Sequence, residues 1–192
     1  MKLNTKNILD MLKDDDEIRV REYLQTFYCP VNPVIENFVR NRSIDFARRK
    51  ISITYTVNDL DDGQILGFFA LAHKAILIPG SGLSNTSRKK LERFARLDKP
   101  TGQYMASAFL IAQFGKNYGV DDGRRITGAD LMRIANDILV NIQHQIGGGV
   151  IYLDSEDIDT LKQFYSSMKF QQFGERFAEE EAQKYIQYMR FF

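Results

Sequence analysis

The fold turns on Leu131-Met132-Arg133-Ile134-Ala135-Asn136-Asp137-Ile138-Leu139-Val140-Asn141-Ile142, followed by Gly147-Gly148-Gly149 and then Val150-Ile151-Tyr152-Leu153. Leu131, Ile134, Ala135, Ile138 and Ile142 recur at the three- and four-residue spacing of one helix face. The glycines stop that helix, because glycine takes the positive φ of a helix C-terminus without steric penalty. The apolar run after them reads as a short buried strand. Upstream, Tyr104 to Phe114 is apolar enough to be a central strand, and a glycine-bearing loop runs from Gly115 to Gly128. Strand, helix and strand in this order make a parallel crossover.

The flanks supply antiparallel elements. Ile51-Ser52-Ile53-Thr54-Tyr55-Thr56-Val57 alternates apolar and polar, Asp61-Asp62-Gly63 turns, and Gln64 to Ile78 is a long apolar run, which together read as a hairpin. Pro79-Gly80-Ser81-Gly82 breaks the chain before a basic helix over Ser87 to Arg96. Asn32-Pro33 reads as an N-cap followed by a proline at the first helical position, which predicts a helix over 33–49. Ile18 to Phe27 reads as extended, after a short N-terminal helix and the acidic run Asp14 to Glu17. Ser155 is predicted to cap a last helix with Glu156, Asp157 and Asp159 in its first turn and Ile158, Leu161, Phe164 or Tyr165, and Met168 on its core face. Phe170 to Phe177 and Tyr185 to Phe192 read as strands on either side of Glu179-Glu180-Glu181. The expectation is a mixed α/β (α+β) fold, one domain over 1–192, whose mostly antiparallel sheet contains one parallel pair and is flanked by helices.

A chain of 192 residues with 44% apolar content is long enough to bury a substantial core. Its formal net charge of +1 gives the whole molecule no field that demands nucleic acid or an anionic membrane, so an anionic partner must be met locally. The single cysteine, Cys29, excludes an intrachain disulfide, and no Cys/His spacing around Cys29, His73 or His144 suits a metal. With no signal-like N-terminus and no apolar run long enough to span a bilayer, the sequence predicts a soluble, cytoplasmic protein.

Gly63-Gln64-Ile65-Leu66-Gly67-Phe68-Phe69-Ala70-Leu71 and Phe164-Tyr165-Ser166-Ser167-Met168-Lys169-Phe170 resemble two segments of the GNAT superfamily of N-acetyltransferases, in the right order over roughly residues 25–175. The second is similar to the closing Phe/Leu-Tyr-x-x-x-Gly-Phe pattern of that family, with Lys169 at the usual glycine. Phe27-Tyr28-Cys29, the helix after it, Thr54-Tyr55 and the Gly67 strand resemble the branch of toxins from toxin-antitoxin operons that acetylate aminoacyl-tRNA. The likeness implies a GNAT-like sheet with a splayed parallel strand pair, acetyl-CoA as acyl donor, and a primary amine as acceptor. Aminoacyl-tRNA is the sharper form of that acceptor, and an antitoxin protein and a second copy of the chain are the implied partners. A GNAT-fold protein that binds CoA or a partner protein without turnover is the alternative.

The family's pyrophosphate loop, Arg/Gln-x-x-Gly-x-Gly/Ala, needs small residues where backbone amides approach phosphate. One register puts Gly123, Ile126 and Gly128 on the three motif positions. The other, Arg125 to Asp130, keeps Arg125 and Gly128 but ends in aspartate. The resemblance assigns cofactor binding to Arg124, Arg125, Thr127, Gly128 and Ala129, and lays the backbone of Phe114, Gly115 and Lys116 beside the pantetheine. An ordinary turn capped by Thr127 with Asp130 as its partner explains the loop equally well. Tyr165 matches the family tyrosine near the sulfur and is the candidate general acid, although the asparagine often found seven residues earlier is Ile158 here. A core aromatic is its bland alternative. No general base or metal ligand stands out; helix capping accounts for Asp154, Glu156 and Asp157, and His73 reads as a hydrogen-bonded structural residue. The basic runs Arg40 to Lys50 and Ser87 to Lys99 suit phosphate tracking, or are solvated helix faces.

Overall fold

The computed structural model describes residues 2–178 and 183–192, so the acidic Glu179 to Glu181 segment lies outside the described residues. The chain forms two compact units, Met1–Ala72 with Ile111–Asp137, and His73–Leu110 with Ile138–Phe192.

The first unit contains β1 (Leu3–Asn7), α1 (Ile8–Asp14), α2 (Glu17–Gln25), α3 (Pro33–Asn37), α4 (Ser43–Arg48) and β2 (Ile53–Asp59). It also takes the first half of β3 (Ile65–Pro79), the last part of β5 (Gln103–Lys116) and the start of α6 (Gly128–Ile146). Its strand order is β1-β2-β3-β5, with β1 antiparallel to β2 and β2 antiparallel to β3. The segment expected to be extended from Ile18 is helix α2. Its Asp16 carboxylate caps the Arg19 N–H at 2.9 Å, and Val20 and Leu24, four apart, both go into the core. The i, i+4 spacing outweighs the two-residue alternation of Ile18 and Val20, since Ile18 is left exposed. The helix expected over 33–49 begins with the Asn32 cap as read, but a π-helical turn at Phe38–Arg42 interrupts it before α4. Phe27, Phe38 and Phe68 form the aromatic centre of this core, with Phe27 edge-on to Phe68 at 5.1 Å.

The second unit contains the rest of β3, α5 (Asn85–Leu91), β4 (Arg96–Asp98), the start of β5, the end of α6, β6 (Val150–Glu156), α7 (Asp159–Ser167), β7 (Gln171–Ala178) and β8 (Gln183–Phe191). Its strand order is β3-β5-β6-β8-β7, with β4 paired to β5. Ala108, Phe109 and Leu110 run parallel to Val150, Ile151 and Tyr152, which is the expected crossover carried by α6. β4 with β5, β6 with β8 and β7 with β8 pair antiparallel. Gly147 has φ 76°, as a helix stop requires, and a Cβ on Gly148 or Gly149 would lie 2.7 Å from the Phe109 ring or 2.3 Å from the Phe94 ring. Packing thus adds a second reason for those glycines.

The last helix differs from expectation. Ser155 and Glu156 belong to β6, opposite Ile186 and Tyr185, and α7 starts only at Asp159, with Ile158 at its N-cap and no side-chain cap bond. The basic helix α5 is likewise shorter than read: it ends at Leu91, and Arg96 opens β4.

Lys169, at the family's glycine position, has φ 64°. The backbone keeps the left-handed conformation that glycine adopts freely and that costs other residues about 1–2 kcal/mol. After allowing for the larger unfolded-state entropy of glycine, Lys169→Gly is expected to stabilise the protein by about 0.5–1 kcal/mol in a urea titration. A destabilised Lys169→Gly variant would show that the strain is compensated by lysine contacts.

Candidate functional site

In the first unit the candidate cofactor residues lie around the end of β5. A Cβ on Gly115 would sit 2.8 Å from Ile35 Cγ2 and 3.1 Å from the Phe68 ring, and one on Gly67 would meet the Gly115 carbonyl at 3.0 Å. A side chain at either position would force its neighbours to shift. Beyond it, buried Asn117 fixes the exit of the chain. Its Oδ1 accepts from the N–H groups of Tyr28 and Gly119, both at 2.9 Å, its Nδ2 donates to the Ile65 carbonyl at 2.7 Å, and its own N–H bonds the Leu66 carbonyl at 2.9 Å. The sequence reading missed this residue, because its only local sign was a polar residue between a strand and a glycine.

The two loop arginines already have partners. Arg124 bridges Asp59 and Asp62, each at 2.7 Å. Backbone N–H groups, of Asp61 and Gln64 respectively, are the main reason both carboxyls stay below their ordinary pKa, with the guanidinium adding to the effect. Arg125 pairs with Asp122 at 2.5 Å, donates to the Tyr118 carbonyl at 3.2 Å and lies over the Tyr118 ring. Lys116 lies over the same ring, and Phe114 precedes Gly115 on β5. Thr127 accepts the Asp130 N–H at 3.1 Å and donates to its carboxylate at 2.6 Å, the capping arrangement named as the bland alternative. The Gly128 and Ala129 N–H groups make no hydrogen bond among the described residues, leaving two amides at the positive end of a 19-residue helix. An open depression of about 560 Å³, lined by Tyr23, Asp62, Gly119, Asp121 and Arg124 among others, lies in the same unit.

In the second unit Tyr165 projects from α7 into an aromatic nest, with ring centroids 5.1 Å from Phe164, 6.0 Å from Phe170 and 5.5 Å from Tyr188. It is buried, and burial pushes its phenol up to about 12; a hydrogen bond with the Ser155 hydroxyl opposes the rise. The phenol therefore carries its proton throughout the neutral range, where it can act as an acid and not as a base. Asp154, Glu156 and Asp157 do not cap α7: Asp154 bonds Arg176 at 2.7 Å and Gln187 at 3.1 Å, Asp157 pairs with Lys162 at 2.5 Å, and Glu156 ends β6. His73 is exposed, with Nε2 2.7 Å from the Ser107 hydroxyl.

The two basic runs differ in kind. In the first unit Arg40 pairs with Glu36 at 2.5 Å, Arg48 with Glu17 at 2.5 Å and Arg49 with Asp45 at 3.3 Å, while Arg42 covers the Phe46 ring. In the second, Arg88, Lys89, Lys90, Arg93, Arg96 and Lys99 are all exposed and form no ion pair among the described residues. Unneutralised cations on one short stretch are what a phosphate backbone requires. No helix among the described residues is long and apolar enough to cross a membrane.

Burial raises the Tyr165 pKa above its unfolded value of ~10, so its contribution to stability is complete below pH 10 and is lost as pH climbs through about 12. Denaturant unfolding from pH 9 upward is therefore expected to show a shallower alkaline loss in Tyr165→Phe than in the parent. Parallel profiles would mean that the phenol is not desolvated in the folded state.

No protein-family profile matches the chain, and no curated protein matches it in sequence. Solved structures do. AtaT complexed with acetyl-methionyl-tRNAfMet superposes with a TM-score of 0.65 at 14% identity, covering 96% of this chain and 94% of that one. A tyrosine-to-phenylalanine variant of the toxin AtaT, bound to the C-terminus of the antitoxin AtaR and acetyl-CoA, gives 0.63 at 16% identity over 100% and 94% of the two chains. A tyrosine-to-phenylalanine variant of KacT gives 0.64 at 16% identity over 97% and 94%. At these identities the likeness is one of fold: the chain has the GNAT-like fold that its sequence led us to expect, shared with AtaT and KacT over nearly the full length of both chains.

Proposed function

We propose that the chain is an acetyl-CoA-dependent N-acetyltransferase acting on a primary amine, and that this amine belongs to aminoacyl-tRNA. The observation that carries the reading is Tyr165, a buried phenol that stays protonated at neutral pH on the helix whose sequence resembles the family's sulfur-side tyrosine. Its fold neighbours support it: AtaT has been captured with an acetylated methionyl-tRNA, and with acetyl-CoA and its antitoxin. An antitoxin partner for this chain is part of the same proposal.

In the proposed reaction the amine lone pair attacks the thioester carbonyl, giving a tetrahedral oxyanion that backbone N–H groups near Phe114, Gly115 and Lys116 stabilise. The C–S bond then breaks, Tyr165 protonates the departing sulfur, and the proton shed by the nitrogen restores the phenol through water. Atoms and charge balance without an enzymic base, provided that the amine arrives neutral. The Gly128 and Ala129 amides, which make no hydrogen bond among the described residues, would take a phosphate of CoA, and Arg125, which holds one carboxylate where Arg124 holds two, would exchange Asp122 for it. The acceptor's RNA backbone would follow Arg88 to Lys99, whose cations form no ion pair among the described residues.

A second reading, a GNAT-fold protein that binds CoA or a partner protein without turnover, is favoured by Arg124 being held by two aspartates and by Asp130 standing in the first turn of α6. Thiol release from acetyl-CoA in the presence of aminoacyl-tRNA separates the two. Tyr165→Phe is expected to slow it by roughly 10²–10⁴-fold while leaving acetyl-CoA affinity within about twofold. Undiminished turnover in that variant would remove Tyr165 from the chemistry, and binding with no turnover in the parent would establish the second reading.

Charge reversal tests the acceptor. Lys89→Glu with Arg93→Glu is expected to lower kcat/KM on aminoacyl-tRNA and to flatten its salt dependence by roughly 0.7–0.9 per lost phosphate contact, with rates on small amines unchanged. An equal loss on small amines would dismiss the RNA surface.

A further inference from the structure

Asp154 is left without a role once it is seen not to cap α7. It lies in the second unit next to Ser155, whose hydroxyl bonds the Tyr165 phenol. Successive side chains on a strand point to opposite faces, so Tyr165 meets β6 from one face and Asp154 opens on the other. Tyr152 and Glu156 share the Asp154 face, and Tyr152 is buried there in a core with Leu91, Tyr104 and Met189. Burial pushes the Tyr152 phenol up to about 12; the nearby Asp154 charge adds to the rise and Arg176 opposes it. The parallel register of β6 with β5 runs from Val150 to Tyr152, whereas its pairing with β8 continues to Glu156. Past Tyr152 the other edge of β6 is therefore unpaired among the described residues, and it is there that the strand carries the Tyr165 contact and the Asp154 carboxylate.

The carboxylate is held in place without being saturated. Gln187, directly across on β8, donates from Nε2 to Oδ1 at 3.1 Å, and Arg176 of β7 donates from Nε to Oδ2 at 2.7 Å while lying over the Tyr185 ring. An ionised carboxylate offers about four lone-pair sites. These two donors occupy one on each oxygen, and the Asp154 side chain keeps 23% of its surface exposed. Nearby carboxylates are committed to ammonium groups instead: Asp157 to Lys162 at 2.5 Å and Glu175 to Lys184 at 3.0 Å. An oriented carboxylate with lone pairs to spare suits a primary amine, which has N–H groups to donate. The Arg176 guanidinium beside it disfavours a second cation, so the neutral amine is preferred over the ammonium. Only the neutral amine has the lone pair that attacks a carbonyl carbon.

We propose that Asp154 receives the acceptor amine, accepting a hydrogen bond from it and taking the proton that the nitrogen sheds. This rests on the acetyl-transfer reading and adds a residue to it. As the C–N bond forms, the carbonyl π electrons move to oxygen and the nitrogen, now cationic, passes a proton to Asp154. The oxyanion collapses, the C–S bond breaks, and Tyr165 protonates the sulfur from the other face of β6. Asp154 then releases its proton to water and the phenolate regains one, so the net transfer is one proton from nitrogen to sulfur.

Asp154→Asn keeps the shape and removes the charge. It is expected to lower kcat/KM for the amine by roughly 10²-fold or more, with acetyl-CoA affinity within about twofold of the parent. The deficit is expected to narrow as pH rises and hydroxide takes over the proton, which a packing defect would not do. Asp154→Asn with Arg176→Gln removes both charges of the pair and is expected to stay slow, whereas a purely structural ion pair would be relieved by it. Glu156→Gln, two residues along the same face, is expected to match the parent. Binding is read separately by NMR titration, without acetyl-CoA, of an amino-acid methyl ester, which carries a primary amine beside an ester carbonyl; the parent is expected to bind it and Asp154→Asn to lose it. Undiminished turnover in Asp154→Asn, recovery in the double variant, or a larger loss in Glu156→Gln would overturn the proposal and leave acetyl transfer standing. Ester binding that depends on Asp154 in a parent that releases no thiol would support the amine site and refute acetyl transfer, and a parent that does neither would end both.

Discussion

One buried amide decides where the central strand of the first unit stops. Asn117 uses both side-chain groups and its own N–H to tie the chain leaving β5 to β3 on one side and to Tyr28 and Gly119 on the other. Each bond satisfies a group that would otherwise be buried without a partner, a cost of about 1–3 kcal/mol apiece. With the exit fixed, the loop from Tyr118 can present the N-terminus of α6, while Gly67 packs tightly on the Gly115 carbonyl and Gly115 on the Ile35 and Phe68 side chains. The candidate cofactor residues thus depend on the close packing at Gly67 and Gly115 and on the Asn117 amide.

Charge is arranged with similar economy. A formal net charge of +1 conceals two unlike populations of cations. Arg40, Arg48 and Arg124 of the first unit are matched to carboxylates within reach, Arg124 to two of them. Those on α5 and β4 are not matched among the described residues, and that stretch supplies the proposed RNA surface. Tyr165 follows a different rule, since its proton is kept by burial rather than by a neighbouring charge.

The parts legible in the sequence were those with strong local patterns. The apolar runs of β3, β5 and β6, the helical spacing of α6 and the glycine stop after it all lie where the residues indicated. α2 was misread because Ile18 and Val20 mimic alternation, while the Asp16 cap and the Val20–Leu24 spacing hold the helix. Ser155 suited an N-cap, yet β6 runs on through it because its pairing with β8 continues to Glu156. β1 was not seen: Leu3-Asn4-Thr5-Lys6-Asn7 alternates in burial but carries a single large apolar residue. At the site, Thr127 and Asp130 were readable as neighbours in sequence. The partners of Arg124 lie 65 and 62 residues away, and only the folded chain brings them together.

The central claim is that the N-terminus of α6 receives acetyl-CoA, and Gly128→Pro tests it most directly. Proline is tolerated in the first turn of a helix, and it removes one of the two free amides while crowding the approach to the other. Titration calorimetry is predicted to show one acetyl-CoA bound per chain, with affinity reduced about tenfold or more in Gly128→Pro at an unchanged thermal midpoint. No heat of binding in the parent, or equal affinity in the variant, would contradict the account.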